Sequence, residues 1–253
     1  MSPIWFLPGW ISTSNPKPNE EPVKLRAFLL LLGFFGLACW AGAEGNSTPV
    51  PSKFASEVAQ FASLPAPPPG GVLLVGSSIF KRWTNAVQDL APLPVTNRAF
   101  GGSQTSHQLM FFDQVVPPCQ PGLIVWYCGS NDIKGKKGAA GILSRTEEWI
   151  SQVKKMNPAT GVLLVSVMGS PQKRRDGQLE AVDEVNRGYA ELSRKRTGIF
   201  YVDVNPVLQT PVGDSRNELY VEDGLHLNVE GYHELTSVLK PAIEKHWKKK
   251  PIL

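Results

Sequence analysis

Val72-Leu73-Leu74-Val75-Gly76-Ser77-Ser78 decides how the chain is to be read. Four large aliphatic residues in succession show no alternation, so a strand made of them is covered on both faces, as in a parallel sheet packed between helices. The run then breaks into a glycine and two hydroxyls. That is where an open parallel sheet keeps its ligand chemistry, beyond the carboxyl end of a strand. Working outward, Leu123-Ile124-Val125-Trp126-Tyr127, Val162-Leu163-Leu164-Val165-Ser166-Val167 and Ile199-Phe200-Tyr201-Val202 are apolar runs of the same kind, and residues 94–98 form a weaker strand between the first two. The intervening segments carry helical spacing: Ile142, Trp149, Ile150, Val153 and Met156, then Leu179, Val182, Val185, Tyr189 and Leu192, then Tyr232, Leu235, Leu239 and Ile243. Five strands with helical crossovers predict a three-layer α/β/α domain. Phe54, Val58 and Phe61 predict a short helix ahead of the sheet, stopped by the Pro- and Gly-rich residues 65–71. Pro241 is expected to kink or restart the last helix.

Composition fits one globular domain. Of 253 residues, 42% are hydrophobic and 19% charged, which excludes a disordered, charge-rich chain, and 23 Gly with 22 Pro show no collagen-like period. The net charge of +4 and the local basic runs Lys173-Arg174-Arg175 and Lys248-Lys249-Lys250 give no case for nucleic-acid binding. Residues 27–43, AFLLLLGFFGLACWAGA, follow Lys24 and Arg26 and end on Ala41-Gly42-Ala43, the layout of a cleaved signal peptide. Cleavage would leave a secreted or periplasmic protein; retention would leave a membrane anchor. Translation from Val23 would give an ordinary short n-region in a bacterial source. The expected organisation is residues 1–43 as extension and signal, 44–52 as a polar linker, and 53–250 as the domain. Cys119 and Cys128 remain after cleavage. Residues 123–128 read as a strand about 16 Å long, so Cys119 would have to double back to pair, and two separate thiols are expected.

The polar motifs follow the strands: Gly76-Ser77-Ser78 after the first, Gly101-Gly102-Ser103 after the second, Gly129-Ser130-Asn131-Asp132 after the third, and Asp223-Gly224-Leu225-His226 after the fifth. Four segments thus converge on one edge of the sheet. Together, in this order, they resemble the four blocks of the SGNH (GDSL-type) hydrolase family, over about residues 54–247. The resemblance implies that family's fold, a flavodoxin-like five-stranded parallel sheet in three layers. It also implies a cofactor-free serine esterase or acylhydrolase working through an acyl-enzyme.

From the match of Gly76-Ser77-Ser78-Ile79 to Gly-Asp-Ser-Leu, Ser78 is the implied nucleophile, with Ser77 standing where the pattern has Asp. Either serine could instead cap a helix. A hydroxyl needs a base to take its proton, and His226 can act near neutral pH, held by Asp223 three residues earlier. Asp132, Asp203, Asp214 and Glu222 are rivals for the third position. The oxyanion donors implied by the resemblance are the backbone N–H of Ser78 and Gly102 and the side-chain amide of Asn131; glycine- and Asn-rich turns are the plain alternative for the last two. Arg174 and Arg175, in the loop after the fourth strand, are candidate contacts for a polar or anionic substrate, or simply a solvated loop. His107, His233, His246, the cysteines and the acids form no recognisable metal-ligand spacing, so no metal is expected. The expected partner is a small-molecule, lipid or glycan ester, with no nucleic acid, and a membrane only through an uncleaved N-terminal segment. Acyl transfer to a sugar and a non-catalytic glycan- or lipid-binding domain are the alternatives.

Overall fold

The computed structural model describes residues 52–247. The expected signal segment, nearly all of the linker and the Lys248-Lys249-Lys250 run lie outside the described residues. Helix α1 (Ser52–Ala62) leads into strand β1 (Val72–Gly76). Helices α2 (Ser78–Lys81) and α3 (Ala86–Asp89) connect β1 to β2 (Val95–Asn97), and α4 (Thr105–Met110) and α5 (Phe112–Val115) connect β2 to β3 (Leu123–Tyr127). From β3, α6 (Ser130–Lys134) and α7 (Ala139–Met156) lead to β4 (Gly161–Val165); α8 (Pro171–Arg175) and α9 (Leu179–Lys195) lead on to β5 (Ile199–Val202). Helices α10 (Asn205–Leu208) and α11 (Val229–His246) follow.

All strand pairs are parallel and the order is β2-β1-β3-β4-β5, the flavodoxin-like arrangement. The register aligns Gly76 with Tyr127, so the Gly76-Ser77-Ser78 and Cys128-Gly129-Ser130 turns leave the sheet side by side. Gly76 is required there. A Cβ on it would lie 2.0 Å from the Tyr127 carbonyl oxygen, so only a residue without one lets β1 approach β3 this closely.

The missing alternation in the strands has the expected cause. Leu73, Val75, Ile124, Trp126, Val162 and Leu164 pack toward α1, α5, α7 and α9, whereas Val72, Leu74, Leu123, Val125, Leu163 and Val165 pack toward α2, α10 and α11. Each fully buried aliphatic or aromatic side chain contributes about 1.5–3 kcal/mol of transfer free energy.

Three local expectations change. β4 starts at Gly161 and ends at Val165, two residues short of the apolar run. Val167 leaves the ladder because Asn186 satisfies both its backbone groups (N–H to Oδ1 2.7 Å; Nδ2 to its carbonyl 2.9 Å), and Ser166 Oγ accepts from the Val204 N–H at 2.9 Å. The Lys173-Arg174-Arg175 segment is not a loop. It is the short helix α8, begun by Ser170, whose Oγ accepts from the Lys173 N–H, with Pro171 in its first turn. Finally, α11 does not restart at Pro241: Leu235, Leu239 and Ile243 are buried on both sides of it, and this packing offsets the lost bond to the Ser237 carbonyl. Cys119 and Cys128 are free, buried thiols, as the spacing argument expects. Among the described residues no helix is long and apolar enough to cross a membrane.

Candidate active site

Ser78 opens α2, immediately after β1, and Ser77 occupies the N-cap position with an extended backbone. The two serines separate cleanly. Ser77 is buried, while the Ser78 hydroxyl reaches out to within 2.9 Å of His226 Nε2. Tyr232 on α11 holds α2 in place, its hydroxyl donating to the Ile79 carbonyl at 2.8 Å and its ring stacked on Trp83 at 5.7 Å.

His226 comes from a tight loop closed at its base by the Tyr220–Leu227 bridge, with the Val221 N–H donating to the His226 carbonyl at 2.9 Å. Asp223 Oδ1 accepts the N–H groups of Leu225 (2.8 Å) and His226 (2.9 Å), and Oδ2 lies 2.6 Å from His226 Nδ1. Partial burial works to raise the Asp223 pKa, but these backbone donors and the imidazole outweigh it and hold the carboxyl down at about 2. An ionised carboxylate can only accept, so Nδ1 carries the proton and donates to it. The neutral ring then presents Nε2 as an acceptor for the Ser78 hydroxyl.

Of the four rival acids, Glu222 is exposed and makes no hydrogen bond or ion pair to His226, and the other three are engaged elsewhere. Asp132 is fully buried and accepts from the Thr105 N–H (3.0 Å), the Thr105 hydroxyl (2.6 Å) and Arg145 (3.3 Å), binding the start of α4 to α6. Asp203 accepts from the backbone and side chain of Asn205, and Asp214 pairs with Arg174 at 3.2 Å. The structure brings none of these three carboxylates to His226.

On the other side of Ser78 lie the second and third blocks. Among the described residues the N–H groups of Ser78 and Gly102 meet no acceptor. Gly102 has φ of +78°, a left-handed conformation that glycine adopts without strain. Asn131 Nδ2 donates one hydrogen to the Ser103 carbonyl at 3.0 Å, which fixes the amide and leaves the second hydrogen free. Ser103 and Gln108 anchor this loop to the nucleophile strand, with Ser103 Oγ (3.2 Å) and Gln108 Nε2 (3.0 Å) both donating to the Gly76 carbonyl.

The basic run divides. Lys173 is fully buried, its ammonium donating to the Ser130 carbonyl at 2.8 Å and to Gln178 Oε1 at 3.0 Å. Burial, only partly opposed by the Asp176 carboxylate, lowers its pKa to about 8. It therefore braces the turn that carries Asn131. Arg175 donates to the Asp223 carbonyl at 2.9 Å and so braces the His226 loop, and Arg174 donates to the Gly213 carbonyl at 2.8 Å. Both candidate substrate contacts thus have partners within the chain. The sequence reading missed the bracing roles of Lys173, Ser103, Gln108 and Asp132; Ser103 and Asp132 lie inside two of the four blocks and Gln108 follows one closely, whereas nothing in the sequence marks Lys173.

A cavity of about 210 Å³ opens beside the His226 loop, lined by Arg82, Trp83, Leu227, Asn228 and Tyr232 among others. A larger one, about 510 Å³, lies past β4 and β5 against Tyr201, Asp203 and Asn205, and no residue of the Ser78–His226–Asp223 cluster lines it. Among the described residues no group of three or more His, Cys, Asp or Glu could hold a metal ion.

The profile of the GDSL-like lipase/acylhydrolase family matches residues 71–234. No curated protein sequence matches the chain. Among solved structures, a GDSL-like lipase from Bacteroides thetaiotaomicron is similar at 22% identity and TM-score 0.63, covering 77% of this chain and 98% of its own. A lipase/acylhydrolase from Enterococcus faecalis aligns at 20% identity and TM-score 0.57 (72% and 98%). A carbohydrate esterase family 3 protein from Talaromyces cellulolyticus aligns at 15% identity and TM-score 0.56 (70% and 97%). These likenesses establish the shared fold.

Proposed function

The chain belongs to the GDSL-like lipase/acylhydrolase family of ester-bond hydrolases, and from that premise we propose that Ser78, His226 and Asp223 form its catalytic triad. The observation that carries the proposal is the continuous line from Ser78 Oγ through the two imidazole nitrogens to Asp223, with links of 2.9 and 2.6 Å. His226 takes the hydroxyl proton as Ser78 Oγ attacks the ester carbonyl, and the imidazolium so formed is stabilised by the ionised Asp223. The carbonyl oxygen, now an anion, accepts from the N–H groups of Ser78 and Gly102 and from Asn131 Nδ2. His226 returns its proton to the departing alcohol, leaving an acyl-Ser78, and then activates a water to release the acid. Three fixed donors serve the oxyanion better than water because they need no reorganisation during the reaction.

The substrate is a carboxylic ester of small-molecule, glycan or lipid character, which the similarity to a carbohydrate esterase and to lipases supports without narrowing further. The apolar segment at residues 27–43 supports export, with action outside the cytoplasm. The test is hydrolysis of a panel of acetylated glycans, phospholipids and simple short-chain esters by the parent protein and by Ser78→Ala. Turnover of at least one class by the parent and none by the variant is the expected result. A parent inactive on every ester, or a fully active Ser78→Ala, overturns the proposal.

A further inference from the structure

Helix α1 precedes the region matched by the family profile, and still it reaches the oxyanion side of the site. Its Glu57 presents one carboxylate oxygen to two donors at once, the Gly101 N–H at 3.1 Å and Lys81 Nζ at 2.7 Å. The Glu57 side chain is only 15% exposed, so this carboxylate is held rather than waving in solvent. Gly101 directly precedes Gly102. Lys81 ends α2, and its own N–H donates to the Ser77 carbonyl at 3.1 Å across the turn that presents Ser78. The Lys81 stem also lies over Gly101: a Cβ added there would meet Lys81 Cδ at 3.2 Å. One turn earlier on α1, Phe54 packs edge-on to Phe100 at 5.8 Å and against His107 at 4.4 Å, so the helix bears on both ends of the 100–107 segment.

We propose that Glu57 is a positioning residue for the reaction, fixing the Gly101–Gly102 peptide relative to Ser78 so that the two backbone donors face one oxyanion. The proposal rests on the esterase reading above. Two consecutive glycines have more conformational freedom than any other dipeptide, and nothing within the loop itself fixes the first of them. The Glu57 carboxylate supplies that restraint from outside the loop, and through Lys81 it uses the nucleophile's own helix as the reference. Loss of the restraint lets the Gly102 N–H sample orientations in which it misses the oxyanion. The penalty falls on the transition state, where the donors are fully used, and hardly on the ground-state ester.

The test uses the full chain with Glu57→Ala, Glu57→Gln and Glu57→Asp. Four quantities are read: kcat and KM on a 4-nitrophenyl acetate assay, the final stoichiometry of serine labelling by a fluorophosphonate, affinity for a trifluoromethyl ketone that forms a tetrahedral adduct, and thermal unfolding. Glu57→Ala is expected to lower kcat by about tenfold to a hundredfold with KM within about twofold, labelling still complete, and ketone affinity weakened by a similar factor. Glu57→Gln keeps an oxygen that can accept from both the Gly101 N–H and Lys81 Nζ, and should stay within about threefold of the parent because the charge of a pair with half-exposed Lys81 adds little. Glu57→Asp keeps the charge but loses the reach, and should fall at least about fivefold. If Glu57→Ala does not fold, the Gln and Asp pair decides. Equal kcat for Gln and Asp, an unchanged kcat in Ala, or a kcat loss matched by incomplete labelling overturns the proposal. Failure of the esterase reading looks different, because the parent itself would then neither hydrolyse the ester nor label at Ser78.

Discussion

Replacing Asp223 with Asn tests the direction of the hydrogen-bond line, because the structure dictates how the new amide must sit. Asp223 Oδ1 accepts two backbone N–H groups, at 2.8 and 2.9 Å, whereas the one hydrogen-bond partner of Oδ2 is His226 Nδ1, with the exposed Arg82 guanidinium a looser 3.9 Å away. The amide oxygen of Asn will keep the two backbone donors, since turning the NH2 toward them would set donor against donor twice. The NH2 group then faces Nδ1, which must become an acceptor. The ring proton moves to Nε2 and points at the Ser78 hydroxyl, so the base is lost with almost no change in shape. A wrong tautomer of this kind lowers kcat by up to about 10⁴ in the serine-protease template, about 5 kcal/mol of barrier. The assay is nitrophenol release from a short-chain ester near neutral pH, with folding checked by circular dichroism. Asp203→Asn is the control: it touches Asn205 and not the histidine, and should cost less than about tenfold. With both variants folded, a greater loss in Asp203→Asn, or an Asp223→Asn within about tenfold of the parent, would refute the reasoning. Because Asp223 stays ionised down to about pH 2, loss of its charge cannot account for any fall in parent activity on mild acidification.

Ser78→Ala should abolish ester hydrolysis while Ser77→Ala keeps a measurable rate, since the Ser77 side chain is buried behind the turn and only Ser78 meets His226; the same nitrophenol assay separates them. Asp132→Ala strands the Thr105 hydroxyl and Arg145 around a buried void, and should cost about 3–5 kcal/mol in urea unfolding. Lys173→Met should change how stability depends on pH. The parent's folded-state Lys173 pKa of about 8 lies below the unfolded value of 10.5, so its burial penalty is complete below pH 8 and is relieved as pH rises toward 10.5. Parent stability relative to Lys173→Met should therefore climb across that window, and parallel curves would show that Lys173 is not buried as a cation.

The sheet was legible because burial on both faces leaves an unmistakable run of apolar residues, and Val72-Leu73-Leu74-Val75 is enough to start from. What periodicity could not supply were the ends. β4 stops at Val165 although Ser166 and Val167 continue the apolar run, because Asn186, on a helix about twenty residues away, takes both backbone groups of Val167. At Pro241 the expected restart does not occur: a local helix breaker is overridden where Leu239 and Ile243 are buried on either side of it. Both differences have one origin, a tertiary contact outweighing a local preference.

The candidate site divides along the same line. Ser78 and Asn131 stand out in the sequence through the resemblance to the four family blocks, His226 as a histidine able to serve a serine hydroxyl as base, and Asp223 because it shares a short loop with that histidine. Glu57, Lys173 and Arg175 each do their work on a backbone atom of another segment: the Gly101 N–H, the Ser130 carbonyl and the Asp223 carbonyl. Every residue has those backbone groups, so no motif marks the recipient, and a charged side chain aimed at one reads in sequence as an ordinary surface residue. Lys173 shows the ambiguity most sharply. It sits in a basic triplet that looks solvated, yet it is buried while its neighbours Arg174 and Arg175 are exposed. A helical turn of α8 separates these fates by rotating Lys173 inward toward the Asn131 turn and Arg175 toward the His226 loop. The triplet thereby connects the segment that would hold the oxyanion donor to the segment that would hold the base. Such a connection lets one short helix set the separation of two loops.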